Sequence, residues 1–422
     1  WISRCPGDGV RLPRRRFRRC GLADRPRALR RGGLAPGPSR EGRPRRAHRK
    51  ISGANPRLCG GNAPRPFFDE VVMKTDSNEH FLSRRAWLFG AGALVVGATM
   101  ASRSTWLRWL PTDPSLQTAR FAAMGTFVDL TLAGALGSVV QNAVATIAEL
   151  ERRMTVFSPD SELSIINKNA ALDHQRVSED LTFVLDQCNI YHRITDGAFD
   201  PTVGPLMRTW GFRGGRPTRW PNSLEIRSVL EKTGMAKVDG SDGNVAFRAE
   251  GMSLDLGGIG KGYAADRAAE TFQRANMVGL VNMGGDIRSV GSQPDGTPWQ
   301  VGVRHPYHPE RLLARLELSG DRAVATSGTS EQTFELEGRS IAHILDPRTG
   351  RPVSEVVSAT VVADSAMKAD AFATAACVLG ASEAIRLFES LGGVEALLVT
   401  RHAVGSRVMA TQGLKVQMVA SV

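Results

Sequence analysis

Apolar positions along residues 121–422 recur at two periods, and the switches between them predict the elements. From Thr126 to Leu132 a β-rich run alternates, which predicts a strand. Across residues 138–154 the spacing becomes three and four, so Ala143, Ile147, Leu150 and Met154 fall on one stripe of a helix. A second helix starts at about Ser178 and ends at Asp196-Gly197, where glycine can close it. Further strands are predicted at Gly279–Met283, Trp299–Arg304, Ala323–Thr326, Ser340–Leu345, Ser358–Ala363 and Glu395–Thr400. Helices are predicted after Lys261, over Ala366–Leu379 and over Ser382–Leu391, and residues 212–222 read as a loop rich in Gly, Pro and Arg. Strands and helices interleave irregularly and no repeat is present. This favours a mixed α/β (α+β) fold over a regular dinucleotide-binding repeat.

Charge changes the picture only at one end. The 422 residues hold 54 Lys or Arg against 42 Asp or Glu, a net of +12, which by itself suggests nucleic acid or an anionic membrane as partner. Residues 1–72 carry 19 of the basic and 5 of the acidic residues, so residues 73–422 hold 35 and 37 and are slightly acidic. The basic segment has no apolar period, so it is expected to be disordered. It reads as upstream sequence translated in frame, with Met73 as the start, rather than as a nucleic-acid-binding arm. A composition of 42% hydrophobic and 23% charged residues excludes a wholly disordered chain and a multispanning membrane protein.

After Met73, Arg84-Arg85 precede an uncharged Gly- and Ala-rich run from Ala86 to Ala101. Paired arginines before a mild apolar run resemble a twin-arginine export signal over residues 73–101, which implies a periplasmic protein. At about 16 residues the run is short for a spanning helix of ~20, so cleavage is expected over a permanent inner-membrane tether. Residues 102–120 read as a linker and 121–422 as one catalytic domain. Cys188 and Cys377 sit in apolar helical patterns and read as buried thiols, not as a disulfide or metal pair.

The most informative segment runs from Ser253 to Tyr263, where a strand end feeds Gly257-Gly258-Ile259-Gly260-Lys261-Gly262 and a helix follows. Such a helix N-terminus suits anionic phosphate, and Lys261 adds a point charge. It is not a P-loop, because Asp255 stands where the first Gly belongs and Gly262 replaces the Ser or Thr. It is not a dinucleotide fingerprint either, because Tyr263 stands at a required Gly. Asp370 and Thr374 are four apart, so both oxygens share one helix face and suit a hard cation such as Mg²⁺. His343 lies on a predicted strand before Asp346-Pro347. No zinc pattern and no Gly-x-Ser-x-Gly nucleophile motif occur.

Taken in order, Met124-Gly125-Thr126, Leu150 through Phe157-Ser158 and Ser161–Ser164 to Asn167, Gly197–Asp200, Leu254–Gly262, Asn282–Asp286, Thr326–Gly328, His343–Gly350 and Ala369–Ala375 resemble the ApbE family of FAD:protein FMN transferases. The resemblance implies an enzyme that binds FAD with Mg²⁺ in a cleft. It moves FMN to a Thr or Ser hydroxyl of an acceptor protein, such as a membrane electron-transfer subunit, and releases AMP. Met124, Ala198, Phe199, Asp200, Asp255, Lys261 and Ile344 resemble its FAD-contacting positions. Gly258, Asp370 and Thr374 resemble its metal positions. Lys261 would assist the chemistry, and His343 and Asp364 are the candidate bases. FAD hydrolysis to FMN and AMP, or flavin binding without turnover, are the alternative readings. No nucleic-acid partner is expected.

Overall fold

The computed structural model describes residues 115–422 apart from 135–136, 242, 330, 403–404 and 421. The expectations for the basic segment 1–72, for the export signal 73–101 and for residues 102–114 of the linker lie outside the described residues. The folded body starts earlier than the sequence pattern implied. A strand begins at Leu116, inside the stretch read as linker, and pairs along its whole length with Thr126–Ala133. Its apolar residues do not alternate and none is fully buried, which hides it. Thr118 and Thr131 share a hydroxyl contact, and Arg120 grips Asp129 across the pair.

The scaffold is one eight-stranded sheet whose spatial order is also chain order: Leu116–Ala123, Thr126–Ala133, Gly279–Met283, Asp286–Val290, Ala323–Gly328, Val356–Ala363, Glu395–His402 and Gly405–Ala410. Every neighbouring pair is antiparallel, so the sheet is a meander with long insertions. Its two faces follow the period of two. Ala323, Ala325, Ala359, Val361, Ala363 and Leu398 face the helices, while Val324, Val362, Leu397 and Val399 face a small sheet of Trp299–Arg304, Leu312–Leu318 and Val416–Met418.

The helices are α1 (Gly137–Met154), α2 (Glu162–Asn169), α3 (Glu179–Ile194), α4 (Gly204–Thr209), α5 (Ser223–Leu230), α6 (Gly260–Arg274), α7 (Ala366–Leu379) and α8 (Ala381–Leu391). The predicted stripe Ala143, Ile147, Leu150 and Met154 is the buried face of α1. Helix α7 buries Ala369, Ala371, Ala373, Ala375 and Ala376 against the sheet and α6. Small residues let these backbones approach closely. A Cβ on Gly262 would stand 2.3 Å from Ala366 O. The start of α7 is held by Ser365, which accepts from Lys368 N at 3.2 Å, and by Asp266 of α6, which accepts from Ala366 N and Met367 N, both at 2.9 Å. A satellite core of Leu206, Trp210, Ile226, Phe334 and Ile341 ties α4 and α5 to the hairpin Thr333–Leu336 and Arg339–Ala342. Among the described residues, no helix is long and apolar enough to cross a membrane.

Two local expectations change. The strand over Ser340–Leu345 is split, because residues 339–342 pair back on 333–336 while Leu345–Asp346 pair with Arg351–Pro352. His343 sits in the bend where the partner changes, and its N–H donates to Gln332 O at 3.0 Å. Residues 253–256 form no strand and join no sheet. Asn167 of α2 takes both backbone groups of Leu254, at 2.9 and 2.7 Å, and Asp255 N donates to Pro201 O at 2.7 Å.

Candidate active site

The clamped segment 253–256 delivers the glycine turn to the N-terminus of α6. Asp255 Oδ1 accepts from Gly257 N at 2.9 Å, closing an Asx turn that starts the loop. Gly260 opens α6, whose first turn carries Lys261 and Gly262 toward α7. Gly262 N donates to Asp370 Oδ2 at 3.1 Å. Lys261 Nζ stands 2.6 Å from Asp286 Oδ2 and 3.6 Å from Asp370 Oδ2. Asp286 follows the Gly284-Gly285 turn, and both carboxylates are 2% exposed, so two buried acids share one ammonium. Burial opposes the Lys261 charge, but Asp286, Asp370 and Glu331 outweigh it and raise its pKa. Burial likewise raises the Asp370 carboxyl above the usual carboxylate range. Asp286 adds to that shift, and Lys261 and Gly262 N–H oppose it.

One turn further along α7, Thr374 Oγ1 lies 3.2 Å from Ser327 Oγ at the end of the strand Ala323–Gly328. Gly258 stands against it, since a Cβ there would be 2.9 Å from Thr374 Oγ1. The predicted trio Gly258, Asp370 and Thr374 is thus brought together, with Lys261 beside it. His343 faces the same region. Burial drives its pKa down to about 4, the charges of Arg213 and Lys261 push the same way, and Gln332 and Asp255 oppose. Its imidazole is therefore neutral at physiological pH, and its buried Nδ1 has no hydrogen-bond partner. Cavities of about 400 and 620 Å³ lie elsewhere, the first beside Arg176 and Phe183 and the second beside Pro217 and Leu224. Neither is lined by these residues, so the charge pattern and not concavity locates the chemistry.

Residues 124–398 match the model of the ApbE family. The chain belongs to the ApbE family. Among curated relatives it is 31% identical over 272 residues to the FAD:protein FMN transferase of Vibrio cholerae, covering 64% of this chain and 81% of that protein. It is 30% identical over 311 residues to the FAD:protein FMN transferase of Salmonella typhimurium, covering 71% and 87%. The fold matches the crystal structure of the ApbE protein of Thermotoga maritima with a TM-score of 0.65 at 30% identity, covering 70% of this chain and 97% of that one. It matches the flavin transferase ApbE of Vibrio cholerae at 0.63 and 28%, with the same coverage.

Within this family frame, several sequence-selected residues stand apart from the carboxylate pair. Asp364 precedes α7 with its side chain exposed, and its carboxylate is taken by Lys368 at 2.6 Å. No contact joins it to Lys261 or Asp370 among those of the described residues. Ala198 and Phe199 are buried, and Phe199 packs edge-on against Tyr191. Asp200 caps the turn Pro201–Val203, accepting from Thr202 N, Thr202 Oγ1 and Met235 N. The next residue, Pro201, accepts from Asp255 N through its carbonyl and so links this segment to the glycine turn. Ile344 is also core. Met124 occupies the tight turn between the first two strands at φ +50°, next to Gly125 at +72°, and its Cε reaches the start of α6. Sequence reasoning assigned no role to Asp286, Ser327 or Arg213. Asp286 and Ser327 had a signal, a polar residue at a strand end beside a glycine turn. Arg213 had none.

Proposed function

We propose that this chain transfers the FMN half of FAD to a Thr or Ser hydroxyl of an acceptor protein, releases AMP, depends on a divalent cation such as Mg²⁺, and works outside the cytoplasm. Membership of the family makes the chain an enzyme, a transferase. The observation that carries the reading is the convergence of the buried Asp370 carboxylate with half-buried Thr374, Gly258 and Lys261 at the N-terminus of α6.

The donors fit a hard cation. One buried carboxylate, a hydroxyl and a backbone carbonyl are the oxygen types such an ion takes, and glycine at position 258 keeps the space before Thr374 free of a side chain. Among the described residues no group of three or more His, Cys, Asp or Glu could hold a metal, so any site here is built mainly from neutral oxygens. A bound divalent cation supplies neutralisation of the diphosphate charge.

The chain's own groups do the rest. Gly260 N and Gly262 N are already bound to Leu256 O and Asp370, so the dipole of α6 and the Lys261 ammonium supply the attraction for the diphosphate. The clamp of Asn167 and Pro201 O on residues 254–255 holds the turn that must approach the nucleotide. The acceptor oxygen bonds to the FMN-side phosphorus, the bond from that phosphorus to the bridging oxygen breaks, and AMP leaves with the bridging oxygen. The hydroxyl proton passes to a base. The neutral imidazole of His343 is the better placed candidate, because Asp364 is exposed and bound to Lys368. Arg84-Arg85 before the apolar run support export. The test is to incubate the full chain with FAD, Mg²⁺ and a flavin-acceptor domain and to measure in-gel flavin fluorescence and AMP. Fluorescent acceptor that disappears with Asp370→Ala supports transfer. AMP without labelled acceptor would mean hydrolysis.

A further inference from the structure

Arg213 lies in the loop after α4, and its guanidinium is fixed on three sides. Its Cζ sits 5.1 Å over the centroid of the exposed Phe157 ring. Its Nε stands 2.8 Å from Asp255 Oδ2, and Nη2 donates to Asp255 Oδ1 at 3.2 Å. Nη1 donates to Phe212 O at 3.1 Å. Asp255 is the residue whose other bond, to Gly257 N, starts the glycine turn. Although Nε and Oδ2 are close, neither reaches an aligned hydrogen bond, and both are buried. They face each other as an ion pair out of reach of solvent, so the guanidinium holds the Asp255 carboxylate in place. The next ring along, Phe212, packs edge-on to His343 at 6.4 Å, so the same turn carries the guanidinium to the imidazole's neighbourhood.

We propose that Arg213 is a positioning residue for flavin transfer: it holds Asp255 and the entry to the glycine turn for the dinucleotide, and it presents a fixed positive charge beside His343. The proposal rests on the transferase reading and deepens it by assigning one side chain to both substrate placement and control of the base. The charged groups that act on His343 are Arg213 from the loop, Lys261 from α6 and Asp255 from the segment before the turn. Burial is the main cause of the neutral ring, and both cations add to it by disfavouring the imidazolium. A lysine would retain the charge but not the flat fork that rests on Phe157 while binding Asp255.

Two readouts test this without using turnover. The first is an NMR titration of His343 in the ligand-free full chain, with the resonance assigned through His343→Gln. The midpoint moves up in Arg213→Met and stays near the wild-type value in Arg213→Lys. The second is FAD binding followed by flavin fluorescence, where Arg213→Lys weakens binding about tenfold. Arg213→Gln replaces the methionine variant if that one does not fold. A midpoint unmoved by loss of the charge, or wild-type FAD affinity in Arg213→Lys, would overturn the proposal. A role confined to stability would lower the melting temperature and leave both readouts alone. Failure of FMN transfer by the wild type would overturn the proposed function and would leave these two measurements able to decide on Arg213.

Discussion

Two walls of the site are built by opposite means. The α6–α7 wall is made of glycine and alanine, and its charges are placed by backbone approach. Gly262 touches Ala366, Gly258 touches Thr374, and Gly262 N binds Asp370 directly. The wall formed by residues 210–222 and the hairpin 333–342 is made of long side chains that lean on one another. Arg213 lies over Phe157, Arg216 over Phe334, Arg339 over Trp220, and Phe212 between Phe334 and His343. The first arrangement has little freedom and suits groups that must meet a phosphorus within tenths of an ångström. The second tolerates adjustment and suits recognition and the tuning of charge.

The largest expected effect breaks the first wall's chemistry. Asp370→Asn keeps the shape but removes the charge, and kcat for FMN transfer should fall by about 10²–10³-fold. A steady-state assay of AMP release with acceptor present checks this. An effect below tenfold would move the reaction away from α7. Next comes the packing itself. Gly262→Ala drives a methyl into the Ala366 carbonyl, and both backbones are buried, so thermal unfolding should show a loss of about 3 kcal/mol. Unchanged stability would show that α6 and α7 separate easily.

A pH experiment then addresses the boundary between the walls. The folded value of His343, about 4, lies below its usual 6.5, so the unfolded chain binds a proton that the folded chain refuses. Stability governed by this residue is complete above pH 6.5 and falls as pH drops toward 4, by up to about 3 kcal/mol. Acid unfolding compared between wild type and His343→Gln reads it, and the variant should lose less stability across that window. The smallest effect belongs to the outer wall. Arg216→Ala removes one cation from the Phe334 ring, and chemical denaturation should report only about 0.5 kcal/mol.

The same contrast decides what could be read along the chain. Helix α1 was legible because Ala143, Ile147, Leu150 and Met154 repeat at helical spacing, and all four are buried. Asp370 and Thr374 were legible as a pair because helical geometry alone puts them on one face. Helix α2 escaped because eight residues bury only Leu163 and Ile166, too few to show a period, although Ser161 caps it. The strand Leu116–Ala123 escaped because it is an edge strand with no fully buried residue and no clean alternation of apolar positions. Arg213 was illegible for a different reason. Its partners Phe157 and Asp255 lie tens of residues away, and only the folded clamp of Asn167 on Leu254 brings them together. The bend at His343 likewise depends on a change of strand partner that no local pattern announces.

The division of labour between the walls is tested most directly by single-turnover FMN transfer to an acceptor domain across a range of FAD concentrations. Asp370→Asn should transfer slowly at every concentration, with the maximal rate reduced about 10²–10³-fold. Arg213→Lys should approach the wild-type maximal rate but need about tenfold more FAD to reach it. If Arg213→Lys lost maximal rate as Asp370→Asn does, or if saturating FAD restored Asp370→Asn, the two walls would not divide chemistry from recognition and the account would fail.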